Sequence, residues 1–529
     1  MQYCDVTYLL VFLPIVMFVY QIVGQKRRPF VLLLASFVFF YLLSGKLLVY
    51  LILTIFSIHH FGLWIYDNKR READELAGTE KELKKEVKAK YLKQRKKILA
   101  FGILIELGFL VALKYLSFLC LNVNHLFSLF KIPLVIKQYR FAAPIGISFY
   151  TMMAISYLVD VYNSKIEPDR NIFKLALYMS FFPQVMEGPI ARYNETAESL
   201  YAGEKIKYHD MCFGIQRILY GLVKKIVIAD RLNIIVKTIF EGYTEFNGGI
   251  LLLGVVLYTI QLYMDFSGVM DVVIGSGEIF GVKMPENFRQ PFFAKNISDF
   301  WARWHITLGT WFKDYIFYPI SLSKFSKKTT KALKPKLGSH FGPLVAGSVA
   351  LFAVWLSNGI WHGAGYNYIF FGMYHFFFIL MGSLFAPLFV KFYEVTKINR
   401  DSLAVRILAA IRTTILVIFG ELFFRAPTLT AGFVIFKKIF TEFSLSSFFD
   451  KSFLRLGING YDFVIVVVTL FILFIFSLLK ENNINIREKV AEKPIYVRWT
   501  LYYVLIFYVL IFGAYGNGYI PVDPMYANF

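Results

Sequence analysis

The stretch FGPLVAGSVALFAVWLSNGIW, residues 341–361, contains no Asp, Glu, Lys or Arg. A helix needs about 20 apolar residues to cross the hydrocarbon core of a bilayer. This run is long enough to do so, and a water-soluble fold could not hide many uninterrupted segments of this kind. The stretch therefore predicts a membrane-spanning helix.

The same pattern recurs along the chain and predicts an all-α polytopic membrane protein. Segment 172–190 is apolar as well, but it contains Pro183, Gly188 and Pro189, which indicates a bent or re-entrant segment. The further candidate spans lie near 6–24, 29–44, 46–66, 98–120, 141–162, 211–240, 248–276, 366–391, 406–425, 461–479 and 498–515.

The composition agrees with a membrane protein. Of the 529 residues, 57% are hydrophobic and only 18% are charged, whereas soluble domains carry about 25% charged residues. The net charge of +21 could indicate nucleic-acid binding, but the sequence has no nucleic-acid-binding signature, so we expect no nucleic-acid partner. The three cysteines are far apart, which argues against a disulfide framework or a zinc–thiolate site.

The basic residues predict the orientation and the organisation of the chain. Lys and Arg accumulate in cytoplasmic loops, which places 67–97, 281–340 and 481–497 in the cytoplasm and the N-terminus outside. We expect residues 1–529 to form a single integral membrane domain. Its parts are the N-terminal spans 1–66, the basic cytoplasmic loop 67–97, a core 98–430, and the C-terminal spans and tail 431–529.

Several ionisable residues fall inside predicted spans, where each charge costs roughly 2.5–3.5 kcal/mol on insertion scales. Each is therefore a candidate for function, although for any single acid a structural ion pair or a span end near water is the favoured explanation. The acids in such positions are Asp230, Asp265, Asp271, Glu278 and Glu421.

Two histidines have unusual surroundings. His305 lies in NISDFWARWHITLGTWFKDYIFYPI, residues 296–320, where helical spacing puts Trp301, Trp304, His305 and Leu308 on one face. This pattern is typical of an amphipathic helix half-buried from the cytoplasmic side, and an interfacial anchor or a functional site would both produce it.

His362 follows the opening stretch and has small and amide side chains around it in LFAVWLSNGIWHGAGYNYIFFG, residues 351–372. An imidazole at this depth could act as a general base, or it could bond across a helix interface. His375, on the next apolar helix, has the same two interpretations. The chain has no GxxxxGK[ST], HExxH or GxSxG motif, which argues against ATP hydrolysis, zinc proteolysis and a serine nucleophile elbow.

Four segments together resemble the membrane-bound O-acyltransferase family, in the bacterial branch that includes alginate O-acetylation proteins and the D-alanyl-lipoteichoic acid transferase. The resemblance implies a bundle of about 11–12 transmembrane helices around a central tunnel, with re-entrant and interfacial helices, in the bacterial cell membrane. The segments are PENFRQPFFAKNISDFWARWHITLGTWFKDYIFYP (285–319), NGIWHGAGYNYIFFGMYH (358–375), FFPQVMEGPIARY (181–193) and ELFFRAP (421–427).

The resemblance also implies site residues. His362 would be the catalytic base, and His305 the second family histidine, opening toward a cytoplasmic donor. The tail PMYANF (524–529) resembles the ending that is proposed to carry the acyl group, here on Tyr526, although Pro524 replaces the usual Phe. Glu187 is a second departure from the family pattern. Candidates for the tunnel wall or for oxyanion stabilisation are Asn358, Trp361, Gly363 and Trp304.

The implied reaction is O-acylation of an extracellular cell-surface polysaccharide by a short acyl group, acetyl first. The donor would be an acyl thioester, acetyl-CoA or the phosphopantetheine of an acyl-carrier protein, with no bound cofactor and no metal. An SGNH-like or DltD-like membrane-anchored protein would be the extracellular partner. D-alanyl transfer to teichoic acid is the alternative enzyme activity. A non-enzymatic transporter or flippase is a third reading, which the absence of an internal repeat disfavours.

Overall fold

The computed structural model describes residues 2–139, 141–449, 456–457 and 459–515, and throughout these residues the regular secondary structure is helical. They divide into two compact units. Unit 1 comprises residues up to 215 together with 273–285, and unit 2 comprises 216–272 together with the described residues from 286 onward. The organisation as one integral domain, and the cytoplasmic placement of 67–97, stay predictions.

The helices of unit 1 lie mainly in the first 222 residues. They are α1 (Leu13–Ile22), α2 (Arg28–Ser44), α3 (Leu48–Ala77), α4 (Lys84–Leu110), α5 (Leu116–Leu129), α6 (Ile147–Tyr162), α7 (Ile172–Ser180), α8 (Tyr193–Ala202) and α9 (Tyr208–Leu222), with π-helical turns at Thr7–Phe12 and Val111–Tyr115 and 3-10 turns at Gln25–Arg27 and Gly45–Leu47.

The remaining helices belong to unit 2, except that α9 and α11 contribute residues to both units. They are α10 (Asp230–Glu241), α11 (Gly248–Ile279), α12 (Ile297–Trp301), α13 (Ile306–Phe312), α14 (Tyr318–Ser321), α15 (Lys324–His362), α16 (Tyr366–Leu384), α17 (Ala386–Thr396), α18 (Leu403–Arg425), α19 (Leu429–Thr441), α20 (Ser446–Phe449), α21 (Gly460–Glu481), α22 (Ile486–Ala491) and α23 (Ile495–Phe512), with π-helical turns at Val223–Ala229 and Lys313–Phe317 and a 3-10 turn at Pro291–Phe293.

The all-α polytopic prediction is confirmed. Among the described residues, eight helical segments are long and apolar enough to cross a membrane, and Thr7–Ile22 and Ile147–Tyr162 are shorter apolar helices. The eight are Gln25–Ala77, Lys84–Leu129, Gly248–Ile279, Lys324–His362, Tyr366–Leu384, Leu403–Arg425, Gly460–Glu481 and Ile495–Phe512.

The predicted span 211–240 differs most from the structure. It lies within one continuous helical run, made of α9, the π-helical turn Val223–Ala229 and α10, but it is not among the eight spanning segments. Its charged residues Lys224, Lys225 and Asp230 are buried in unit 2 and paired with other charged groups. These charged side chains would be costly in contact with lipid, whereas ion pairs stabilise them inside the protein.

The bent segment 172–190 is confirmed as a break in helical structure. Helix α7 ends at Ser180, and residues 181–192 are non-helical yet buried within unit 1. Side chains replace the missing helical hydrogen bonds: the Tyr3 hydroxyl donates to the Phe182 carbonyl at 2.9 Å, and the Phe182 N–H donates to the Ser36 hydroxyl at 3.0 Å. Such backbone is stable away from water only when its polar groups are satisfied in this way.

Candidate functional site

His362 is the last residue of α15, and aromatic rings surround it. Its imidazole is 6% exposed, and its ring centroid lies 5.0 Å from that of Trp361, 5.1 Å from that of Phe424 and 5.9 Å from that of Phe371. The chain then turns directly into α16 at Gly363, where a Cβ would overlap the Tyr368 ring. The HGAG sequence therefore places an imidazole at a tight helix end, where a larger residue at 363 would require the Tyr368 ring to move.

His305 does not lie on a continuous amphipathic helix, so that prediction is wrong. Helix α12 ends at Trp301, and His305 has a left-handed backbone with a φ of 47° immediately before α13. A non-glycine residue in this conformation is uncommon and needs support from its surroundings. The shared face predicted from the spacing of Trp301 and Leu308 consequently does not exist.

Asn287 provides that support, and the sequence analysis did not identify it. Its side chain is fully buried, and its Oδ1 atom accepts from the Thr307 backbone N–H at 3.1 Å and from the Thr307 hydroxyl at 3.0 Å. The same oxygen lies 3.2 Å from Nδ1 of His305, and the Asn287 carbonyl accepts from the Ile306 N–H at 3.0 Å. The only sequence signal is the position of Asn287 within PENFRQP, eighteen residues before the histidine.

These contacts fix the tautomer of His305. The Thr307 N–H can only donate, so Oδ1 of Asn287 is an acceptor and Nδ1 of His305 must carry the proton. Nε2 is then the basic nitrogen of the ring. Burial lowers the pKa of His305 well below the ordinary value of 6.5, and nearby His362 lowers it further. The imidazole is therefore neutral at physiological pH.

Trp361 joins the two histidines. Its ring centroid lies 5.8 Å from that of His305 and 5.0 Å from that of His362. The Phe266 ring packs against His305, with the ring centroids 4.8 Å apart. All of these residues belong to unit 2. The structure thus brings together His305, His362 and Trp361, which the sequence analysis had singled out from two separate segments.

His305, His362 and Trp361 form the histidine cluster. The other sequence candidates lie either beside this cluster or in the packing that supports it. Asn358 lies one helical turn before His362 and is 6% exposed, and its Oδ1 atom has no hydrogen-bond partner among the described residues. The Gly363 N–H already donates to the Ile360 carbonyl at 3.2 Å. Trp304 stacks on Phe300 at 5.4 Å and belongs to the packing under the 287–305 loop. Tyr526 lies outside the described residues.

His375 reaches the same cluster through Phe371. The two rings are 4.7 Å apart, and Trp301 lies 4.8 Å from the imidazole on another side. His375 is fully buried, and within the described chain neither ring nitrogen has a hydrogen-bond partner. Gly420 leaves room for it, because a Cβ there would come within 2.7 Å of Nε2. The structure therefore shows no cross-helix hydrogen bond to His375 among the described residues, and a catalytic role for this histidine stays a prediction.

The acids within the predicted spans have different surroundings. Asp230 and Asp265 each lie 2.8 Å from the Lys225 ammonium, and Asp271 pairs with Lys224 and Arg217. These three acids are therefore members of structural ion pairs. Glu421 is 3% exposed and forms no ion pair with any described residue, although Thr259 contacts its carboxyl group. Glu278 is half-buried, and Glu187 is buried in the bent segment of unit 1.

The described residues contain no group of three or more His, Cys, Asp or Glu side chains that could hold a metal ion. The expectation that no metal takes part in the reaction stays a prediction.

Comparisons with known proteins identify the family to which the chain is similar. The membrane-bound O-acyltransferase family profile matches residues 6–333, a range that includes His305 and ends before His362. The chain is 27% identical to the probable alginate O-acetylase AlgI of Pseudomonas aeruginosa over 494 residues, 93% of this chain and 84% of that protein. It is 30% identical to the peptidoglycan O-acetyltransferase of Helicobacter pylori, over 52% of this chain and 53% of that protein. It is also 30% identical to the teichoic acid D-alanyltransferase of Bacillus subtilis, over 44% and 56% respectively.

Proposed function

Because the chain belongs to the membrane-bound O-acyltransferase family, it is a multi-pass bacterial membrane enzyme that transfers acyl groups, and we propose that it O-acetylates an extracellular cell-surface polysaccharide. The donor is an acyl thioester in the cytoplasm, either acetyl-CoA or an acyl-carrier protein. The observation that carries the proposal is the pair of buried imidazoles, His305 and His362, in contact with the same Trp361 ring.

His362 is the general base of the proposed reaction. A hydroxyl is a poor nucleophile at neutral pH, so its proton moves to the imidazole as its oxygen bonds to the thioester carbonyl carbon. The tetrahedral intermediate collapses with cleavage of the C–S bond, and the imidazolium returns the proton to the thiolate. The products are an ester and a free thiol, and the imidazole is regenerated. General-base catalysis of this kind contributes typically about 10²–10⁴-fold.

His305 is the partner imidazole on the donor side. Because Asn287 holds the proton on Nδ1, the ring presents Nε2 as an acceptor in a fixed orientation. A neutral imidazole in a buried site can accept a hydrogen bond from the thiol end of the donor without placing a second cation beside His362. The role proposed for His305 is therefore to position the donor and to accept a hydrogen bond from the thiol product once His362 has returned the proton to the thiolate.

Developing negative charge on the carbonyl oxygen needs hydrogen-bond donors. We assign this role to the amide of Asn358 and the indole N–H of Trp361, which flank His362 on the final turn of α15. Gly363 is the less suitable donor, because its N–H is bonded to Ile360. Its part in the proposal is to leave space at the helix end, and Trp304 supports the loop that carries His305.

The choice of acetyl as the acyl group is supported by the extent of the similarity. The relative named as a probable alginate O-acetylase aligns with 93% of this chain, whereas the one named as a teichoic acid D-alanyltransferase aligns with 44%. D-alanyl transfer to teichoic acid is the second candidate function, and the 30% identity within that shorter region favours it. The similarity to an acyltransferase along almost the whole chain leaves the transporter reading without support.

The proposal includes a route from the site to the polymer. The acyl group would pass through Tyr526, or directly, to an SGNH-like or DltD-like membrane-anchored partner that completes transfer outside the cell. In the proposal the bilayer supplies the barrier, and the central tunnel implied by the family resemblance supplies the passage between the cytoplasmic donor and the acceptor hydroxyl. If Tyr526 is a relay, Tyr526→Phe should stop acylation of the polymer while leaving donor binding unchanged.

The test is replacement of the proposed base. His362→Gln should lower acyl transfer by about 10²–10⁴-fold, because glutamine cannot take up the proton. The rate is measured as ester formed from radiolabelled acetyl-CoA, or from acetyl-loaded carrier protein, by cells that lack the native copy. The matched control is His340→Gln on the same helix, an exposed histidine outside the cluster, for which we expect an unchanged rate.

Two results would contradict the proposal. Normal polymer acylation in a correctly inserted His362→Gln protein would remove the general-base role. D-alanyl esters in place of acetyl esters on the purified polymer would replace the first candidate function with the second, while the role of His362 would stand.

A further inference from the structure

A cavity of about 450 Å³ lies between α3 and α4 of unit 1, far along the sequence from the histidine cluster. Its apolar lining is Trp64 from α3 and Ile98 from α4, and the rest of the lining is polar. The polar residues lining the cavity are Asp67, Asn68 and Arg71 from α3 and Gln94 and Lys97 from α4. The cavity therefore combines an aromatic surface with two cations and two amides.

The two cations of the cavity are not used by the protein. Neighbouring charges on the same helices are paired, Arg95 with Glu72 and Lys90 with Glu75. Arg71 and Lys97 are exposed, and neither forms an ion pair with any residue that the structure describes. The Asn68 amide donates to the Gln94 side-chain carbonyl at 2.9 Å, which fixes the two helices to each other at the cavity floor. The two cations thus lie on helices that this bond joins, and both are available to an anion.

The cavity lies where these helices change from apolar to charged. On the apolar side, Trp64, Phe101 and Leu104 are 52%, 58% and 65% exposed, as expected for side chains that face lipid. The charged stretch begins at Asp67 on α3 and ends at Lys97 on α4. Trp is enriched at the level of the lipid headgroups, and Lys and Arg lie just beyond it. This places the cavity at headgroup depth.

The surrounding charge favours an anionic lipid. The helical hairpin 67–97 contains twelve Lys and Arg residues against seven Asp and Glu residues, and its second arm, 84–97, contains eight against one. Basic segments beside a membrane attract anionic headgroups, and basic pockets between transmembrane helices bind them specifically. Asp67 is the single acid of the cavity wall, so the lining keeps a positive excess.

We propose that this cavity is a binding site for one anionic glycerophospholipid. Arg71 and Lys97 bind the headgroup phosphate from the two helices, and the Asn68–Gln94 pair forms the floor beneath it. The acyl chains lie along the exposed surface of Trp64, Phe101 and Leu104. A lipid bound in this way bridges α3 and α4 and fixes the basic hairpin relative to the membrane surface, independently of any step of acyl transfer.

The first experiment measures lipid retention by native mass spectrometry of the full chain released from detergent micelles. The protein is offered phosphatidylglycerol and phosphatidylcholine of the same acyl composition in equal amounts. We expect about tenfold preferential retention of one phosphatidylglycerol, since two cations contribute to its binding. The double variant Arg71→Gln/Lys97→Gln should lose this preference.

The matched control removes the same charge outside the cavity. Lys85 and Lys88 are exposed on the same arm of the hairpin and do not line the cavity, so Lys85→Gln/Lys88→Gln should keep the preference. A second measurement does not depend on the cationic residues. Phosphatidylglycerol with brominated chains should quench the fluorescence of the unmodified protein more than that of Trp64→Phe.

Three outcomes would overturn the proposal. Equal retention of both lipids by the unmodified protein would show that the cavity has no headgroup preference. Equal loss in the cavity variant and the control variant would show that only the general charge of the hairpin attracts lipid. Displacement of phosphatidylglycerol by millimolar inorganic phosphate would show a site for free phosphate.

Discussion

Two groups of buried polar residues in unit 2 are accommodated in opposite ways, one by ion pairing and the other by remaining uncharged. In the ion-pair cluster, the Lys225 ammonium lies 2.8 Å from both Asp230 and Asp265. In the histidine cluster, His305 and His362 face aromatic rings, and nearby Glu421 has no ion pair among the described residues. A paired charge is stable and chemically silent, whereas a neutral group that can still gain or lose a proton remains available for chemistry.

The comparison teaches that burial alone does not indicate function. Asp265 and Glu421 are almost equally buried, at 4% and 3% exposure, and the sequence analysis gave both the same two interpretations. What separates them is the cation beside one and the hydroxyl of Thr259 beside the other. The two clusters should therefore respond differently to the same kind of substitution.

The largest effect is expected from breaking the ion-pair cluster. Lys225→Met leaves two carboxylates buried without this cation and should destabilise the protein by about 3–5 kcal/mol. The measurement is the thermal unfolding temperature of the purified protein in detergent, together with its expression level. Lys237→Met is the control, because Lys237 is half exposed and its pair with Glu241 spans 3.9 Å, so we expect a change below about 1 kcal/mol. Similar losses in both variants would contradict the assignment of Lys225 as a structural centre.

A smaller effect is expected from acid on the histidine cluster. The pKa of His305 is lowered by burial and by His362, so the folded chain leaves this imidazole neutral where the unfolded chain takes up a proton. Its contribution to stability is complete above about pH 6.5 and is lost as the pH falls below that value, by up to roughly 1.4 kcal/mol per pH unit.

The corresponding measurement is the unfolding temperature between about pH 7.5 and 5.5. His305→Asn should show a weaker decline toward acid than the unmodified protein, because asparagine does not titrate. His209→Asn removes an exposed histidine and should leave the decline unchanged. If all three proteins declined in parallel, His305 would not be a neutral buried group.

The smallest effect is expected at Glu421. Without a paired cation, a buried carboxyl group is most stable in its neutral form, so the neutral isostere Glu421→Gln should change stability by less than about 0.5 kcal/mol. Asp265→Asn is the contrasting variant, because it removes an anion that Lys225 needs. Unfolding temperatures of the two variants would sharpen the comparison, and an equal decrease in both would show that Glu421 has a charged partner after all.

The apolar runs predicted most of the architecture because a bilayer imposes a simple length requirement on a helix. The stretch 211–240 is helical but is not among the eight spanning segments, since counting apolar residues ignored Lys224 and Lys225, whose partners Asp271 and Asp265 come from α11 and could not be read locally. The bend at 172–190 was predictable because proline and glycine act on their own backbone.

The histidines themselves could be identified from their sequence context, whereas the geometry around them could not. The spacing of Trp301, Trp304 and His305 is compatible with a helix, yet the chain leaves the helix after Trp301. The cause is a set of hydrogen bonds that the oxygens of Asn287, a residue from an earlier loop, accept from the chain around His305. Non-local bonds of this kind override local periodicity and leave no periodic signal of their own.

The buried segment 181–192 has a consequence for biosynthesis. Its Phe182 carbonyl and N–H depend on the hydroxyls of Tyr3 and Ser36, which leave the ribosome well over a hundred residues earlier. The receiving groups are therefore already in the membrane when the segment arrives, in keeping with assembly that proceeds from the N-terminus. A chain that lacked residues 1–44 would deliver this segment to a site without either hydroxyl, so the N-terminal part of the chain acts as an internal assembly template for the non-helical part of unit 1.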